Sequence, residues 1–130
     1  LNTPQENTAR VIGALKNPLI DIIAHPTGLV FGARAPYVLD MDSIFKEAIK
    51  YNKALEINSY LLRLDINDNY ARKLKSFGGK VVINTDSHRS TNLEMIYLGV
   101  ESARRAGLEK ADVINTMTLK EFRRWKSSRV

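Results

Sequence analysis

Three short apolar runs, each closed by a turn signal and separated by helix-patterned segments, restrict this chain to a small set of folds. Residues 19–24, 53–58 and 80–84 are short and rich in Ile, Leu and Val, as expected of buried strands rather than helices. Strands that alternate with helical segments form parallel sheets built from β-α-β units. The expected fold class is therefore α/β. The helices are expected to pack on one side of the sheet. Three strands are few for a complete domain of this class, whereas part of a barrel, or a barrel-like sheet, would have this pattern.

The helices announce their own limits. Thr3-Pro4-Gln5-Glu6 is a capping box with proline at the first helical position. Asn17-Pro18 ends that helix. Asp40 is placed to cap the next, whose stripe is Met41, Ile44, Phe45, Ala48 and Ile49. Asn67 caps a third, stopped by Gly78-Gly79. Thr91 with Glu94 reads as the capping box of a fourth helix that Gly107 ends. Residues 109–114 read as a short helical turn. Thr118 with Glu121 opens a last helix, in which Phe122 and Trp125 face the core.

With 130 residues, 44% of them hydrophobic, the chain is expected to form one packed domain over residues 1–130. The absence of cysteine excludes disulfides and thiolate metal sites and leaves His, Asp and Glu as the metal-ligand types. A cytoplasmic location and no membrane span are expected. A first residue of Leu rather than Met suggests that an upstream part is absent. The net charge of +6 fits either an anionic partner such as nucleic acid or a solvated basic surface.

Chemistry-bearing residues fall where the strands end. The first run stops at His25, the second carries Glu56 and Asn58, and the third leads into Asn84, Asp86 and His88. Sites in parallel α/β folds form at the C-terminal ends of strands, where the loops converge. If residues 84–88 stay extended, Asn84, Asp86 and His88 point to one side. Asp86-x-His88 then has two readings. It is a turn cap beside an ordinary loop histidine, or a carboxylate–imidazole pair suited to zinc, manganese or iron. Arg63 likewise either pairs with Asp65 or reaches a phosphate.

Taken in order, Ala24-His25-Pro26-Thr27-Gly28, Ala54-Leu55-Glu56-Ile57-Asn58, Arg63-Leu64-Asp65 and Ile83-Asn84-Thr85-Asp86-Ser87-His88 resemble the C-terminal part of the polymerase and histidinol phosphatase domain of bacterial and archaeal family X DNA polymerases. The stretch from Gly99 to Arg105 and Asp112-Val113-Ile114-Asn115-Thr116 extends the resemblance to nearly the whole chain. It implies a distorted (β/α)7 barrel with up to three divalent metal ions at the strand ends. The ions would be manganese or zinc, with magnesium and iron as further candidates. It also implies metal-dependent hydrolysis of DNA phosphodiesters, as in 3′-5′ exonuclease and end processing in DNA repair. By match, His25, Asp86 and His88 are metal ligands. Asn58 and Arg63 lie in or near the substrate cleft, joined by Arg34 from the loop after the first strand. No catalytic side chain is assigned beyond a metal-activated water.

The chain departs from the family pattern at Leu29, where arginine is usual, and at Tyr60-Leu61-Leu62, where an Asn-Pro pair is usual. The family's opening H-x-H motif, its further Glu and His ligands and the polymerase domain are not in this sequence. The isolated chain is therefore expected to be inactive, with DNA as the partner of the parent protein. Uncovered strand edges are expected to favour self-association of copies. Two readings compete with the first: a phosphatase for small phosphoesters such as histidinol phosphate, and a non-catalytic DNA-binding module.

Overall fold

The computed structural model describes residues 2–128, so Leu1 lies outside the described residues. Its elements are α1 (Pro4–Lys16), β1 (Ile22–Ile23), α2 (Met41–Lys50), β2 (Ala54–Asn58), α3 (Asp68–Ser76), β3 (Lys80–Asn84), α4 (Ile96–Arg105) and α5 (Leu119–Ser127). Short 3-10 helices occupy Ser90–Met95, Lys110–Asp112 and Ile114–Thr116. The three strands form one sheet in the order β1-β2-β3, all parallel. The expected α/β class with alternating parallel strands and helices is what the chain forms.

Most helix starts follow from local chemistry. Thr3 accepts from the Glu6 amide while Glu6 reaches back to the Thr3 amide. Asp40 and Asn67 accept from the amides of Ser43 and Tyr70. Thr118 and Glu121 close a second capping box at α5. Each such cap satisfies an otherwise orphaned helix amide and stabilises by ~1 kcal/mol. The box expected at Thr91 and Glu94 does not form. Residues 90–95 wind as a 3-10 helix instead, and α4 begins only at Ile96 with no side-chain cap.

The first strand is shorter than its apolar run. Pro18 has no amide to give a sheet. Asn17 folds the chain over, its side chain accepting from the Leu19 amide and its carbonyl from the Ile20 amide. Leu19 is left 88% exposed. The buried ammonium of Lys53 donates to the carbonyls of Asn17 and Ile20, tying this turn to the start of β2.

Alternation along the strands divides the core between two faces. Leu55, Ile57, Val81 and Ile83 pack with Leu15, Ile44, Phe45 and Leu74, so α1, α2, α3 and α4 cover one face. Phe45 meets Tyr70 and Phe77 edge-on, with ring centroids 6.3 and 6.1 Å apart. Each fully buried side chain of this kind stabilises by about 1.5–3 kcal/mol. Ala54 and Val82 point the other way, onto Ile114 and Trp125 with Ile22, Met117 and Phe122. The helices are therefore not all on one side, because α5 covers the second face. An amphipathic period shows that α5 buries a stripe, but not which sheet surface receives it.

The free side of β3 is closed. Val113 bridges to Val81, and the Asn115 carboxamide accepts from the Ile83 amide and donates to the Ile83 carbonyl. β1 pairs only with β2 among the described residues. No helix among them is long and apolar enough to cross a membrane.

Candidate functional site

The second sheet face changes character along the strands. Beyond Ala54 and Val82 come Glu56, Asn58 and Asn84, with Asn58 and Asn84 in register. Glu56 is only 4% exposed and Asn58 fully buried. Buried polar groups must find partners, and these find one another. Glu56 Oε1 accepts from the Asn84 amide group at 2.9 Å. Glu56 Oε2 accepts from the His25 backbone amide at 2.7 Å and from Asn58 Nδ2 at 3.0 Å. Asn58 Nδ2 also donates to Asp86 Oδ2 at 3.1 Å.

The loop after β2 folds back on its own strand. Asn58 and Asp65 exchange backbone hydrogen bonds, and the Ile66 amide donates to the Glu56 carbonyl. This return brings Arg63 over the next strand end, where its Nε lies 3.0 Å from Asp86 Oδ2. Arg63 therefore pairs with Asp86, not with Asp65. Asp65 is buried and accepts from the amides of Thr27 and Gly28, clamping the turn that follows β1. Burial raises its carboxyl above the usual 3.8, opposed by those hydrogen bonds and by the nearby His25. Gly28 is required in this turn. Its φ is +67°, and a β-carbon there would come within 2.5 Å of the Tyr37 ring.

The segment after β3 does not stay extended. Asp86 has φ 52°, so the chain turns at that residue and strand periodicity does not govern its side chains. Asp86 and His88 nevertheless meet in one cleft of about 450 Å³, lined by Tyr60, Arg63, Asp86, His88, Arg89 and Asn92. His88 Nδ1 lies 2.7 Å from the Asp86 carbonyl. A carbonyl only accepts, so Nδ1 is the donor in this contact, and in the neutral ring the lone pair is then on Nε2.

The sequence-derived candidates thus divide. Asp86, His88 and Arg63 share the cleft, with Asn58 directly behind Asp86. His25 has φ 29° and is joined to this group through its backbone amide, by way of Glu56 and Asn58. Arg34 is used inside its own loop, donating from Nε to the Gly28 carbonyl and lying over the Tyr37 ring. Nitrogen and carboxylate donors at His88 and Asp86 suit zinc or manganese. Among the described residues, however, no three His, Asp or Glu side chains gather into a metal cage. The donor types fit part of such a centre and do not complete one.

Sequence reasoning did not give Tyr60, Arg89 and Asn92 a place in the cleft. Only adjacency to Asn58 and His88 could have signalled them. The role of Glu56 as a hub was hinted at by its period-two spacing from Asn58. Asp65 as a clamp on residues 27–28 had no local signal.

No protein-family model matches the chain. Over 112 residues, 86% of its length, it is 41% identical to the DNA polymerase/3'-5' exonuclease PolX of Bacillus subtilis (strain 168), of which it spans 20%. It is 28% identical over 97% of its length to a probable phosphatase of Thermoanaerobacter sp. (strain X514), spanning 52% of that protein. A probable phosphatase of Acetivibrio thermocellus is 34% identical over 68% of the chain, which spans 36% of it. The chain thus covers about a fifth of the first of these relatives and half of the second. On this kinship, the chain is a segment related to the polymerase and histidinol phosphatase domain of family X DNA polymerases.

Proposed function

We propose that the chain is part of a metal-dependent phosphoesterase that hydrolyses DNA phosphodiesters at 3′ ends, within a longer protein. The observation that carries this reading is the meeting of Asp86, His88 and Arg63 in one cleft at the C-terminal ends of parallel strands. The three strands form an arc of a distorted (β/α)7 barrel. His25, Asp86 and His88 contribute ligands to a cluster of up to three divalent ions, manganese or zinc before magnesium or iron, and the remaining ligands come from outside this chain. Such ions supply an activated water and neutralise phosphate charge. The chain's own residues do the rest. Arg63 offers a planar fork to a phosphate oxygen once Asp86 is otherwise engaged, and Asn58 holds Asp86 from behind. Arg34 has a secondary part, steadying the loop at Gly28 rather than reaching the cleft.

Incomplete ligation makes the isolated chain a poor hydrolase. The test compares release of nucleotides from a labelled 3′ DNA end by this chain, by the full-length protein and by that protein carrying His88→Ala, with manganese added. Activity is expected only in the unaltered full-length protein. Equal activity in the isolated chain would overturn the incomplete-site reading. An active His88→Ala protein would remove His88 from the site. The probable phosphatases among the relatives favour a second reading, hydrolysis of small phosphoesters. Turnover of histidinol phosphate in preference to a DNA end would select it.

A further inference from the structure

Glu56 has no role in the reading above, yet its side chain accepts three hydrogen bonds at the strand ends. It is a carboxylate 4% exposed, and no ion pair with a cation reaches it among the described residues. Burying a carboxylate without a counter-charge is costly unless hydrogen bonds compensate. Three donors do so: the His25 amide at 2.7 Å, Asn58 Nδ2 at 3.0 Å and Asn84 Nδ2 at 2.9 Å. An apolar side chain in the same place would continue the packing of Ala54 and Val82 on that face without this cost. What the carboxylate adds is connection. It joins the turn after β1, the end of β2 and the end of β3, and through Asn58 it reaches Asp86 Oδ2 at 3.1 Å.

We infer that Glu56 is a positioning residue, holding the His25 turn and the Asp86 carboxylate in one frame so that the cleft can bind a divalent cation. The inference rests on the proposed metal-dependent reading. Glu56 does not touch the cation or the substrate. It acts through a backbone amide and an asparagine. Both of its oxygens are committed as acceptors, and both are needed. Glu56→Gln turns one acceptor into a donor and sets it against an amide donor already present. Adding Asn84→Asp reverses the polarity of that partner, so the glutamine amide donates to the introduced carboxylate. His25 and Asn58 keep the remaining oxygen, and the net charge is unchanged.

The experiment uses the full-length protein and calorimetric titration with Mn²⁺, beside thermal unfolding of the same samples. Glu56→Gln is expected to weaken Mn²⁺ binding by about 10- to 100-fold, the usual cost of losing an outer partner of a metal ligand. Glu56→Gln with Asn84→Asp is expected to recover most of that loss, and His88→Ala to weaken binding on its own. Unchanged Mn²⁺ affinity in Glu56→Gln, with His88→Ala impaired, would overturn the positioning role alone. Lower stability with unchanged affinity of the folded protein would do the same, making Glu56 merely structural. Unchanged affinity in His88→Ala would overturn the metal reading of the cleft and the positioning role with it. If Glu56→Gln does not fold, Asn58→Ser supplies the test, since it cuts the link to Asp86 and leaves Glu56 in place. Wild-type affinity in that variant would overturn the proposal.

Discussion

The two ends of one sheet face differ in almost every physical respect. Towards the strand starts, Ala54, Val82, Ile114 and Trp125 make an apolar contact sealed by α5. Towards the strand ends, Glu56, Asn58, Asn84 and Asp86 make a hydrogen-bonded polar network that opens on a cleft. Backbone geometry leans the same way, although Asn52, φ 49°, sits at the strand-start end beside Trp125. His25, Leu64 and Asp86, with φ 29°, 47° and 52°, belong to the cleft end. Positive φ costs a residue with a β-carbon energy, most for a bulky one such as Leu64. One end is thus built to be stable, and the other spends part of that stability on holding groups in place.

Substitutions at the two ends should therefore separate activity from stability. The largest effect is expected for His88→Ala in the full-length protein. Hydrolysis of a labelled DNA end should fall by more than about 100-fold while the thermal midpoint stays put, because His88 is exposed. Trp125→Ala should do the reverse. Truncating this buried ring should cost ~3–5 kcal/mol in denaturant unfolding of the isolated chain, with Mn²⁺ affinity of the folded full-length protein unaltered. A parallel loss of both properties in either variant would show that the ends are not independent.

Asn115→Ala is expected to cost less, about 1–3 kcal/mol, because it leaves the amide and carbonyl of Ile83 without their partner. Chemical denaturation would measure it. Light scattering should also register increased association, since a strand edge is uncovered.

The smallest effect concerns pH. Burial raises the folded-state pKa of Asp65 above 3.8. Between 3.8 and that raised value the folded chain holds a proton there that the unfolded chain has released. The stability this carboxyl contributes is fully present below 3.8 and is lost as pH rises through the raised folded value. Asp65→Asn should abolish this part of the slope. Unfolding curves of both proteins across the mildly acidic range would reveal it, and parallel stability–pH profiles would count against a raised carboxyl.

What the sequence disclosed was local. Thr3, Asp40, Asn67 and Thr118 cap as expected because the cap oxygen and the amide that donates to it lie within a few residues. The strand positions were legible because apolar runs and turn residues are contiguous. Arg63 and Asp86 are 23 positions apart in the sequence, and their pairing depends on a loop that folds back through Asn58 and Asp65. No periodicity encodes that. The turn at Asp86 escaped for a related reason, since an aspartate at positive φ is permitted but not announced by its neighbours. The face chosen by α5 was hidden because a helix stripe has no label for its partner.

The Asn115 side chain has a further consequence for how copies of this chain could assemble. A sheet with two available margins can be joined head to tail, and such a contact repeats without limit. Here the carboxamide occupies the β3 margin as a stand-in for another strand, so among the described residues β1, two residues long, is the margin with no further partner strand. Any pairing of copies through the sheet must then use the same margin twice. A twofold contact of that kind closes on itself, so assembly stops at two copies instead of growing into a fibre.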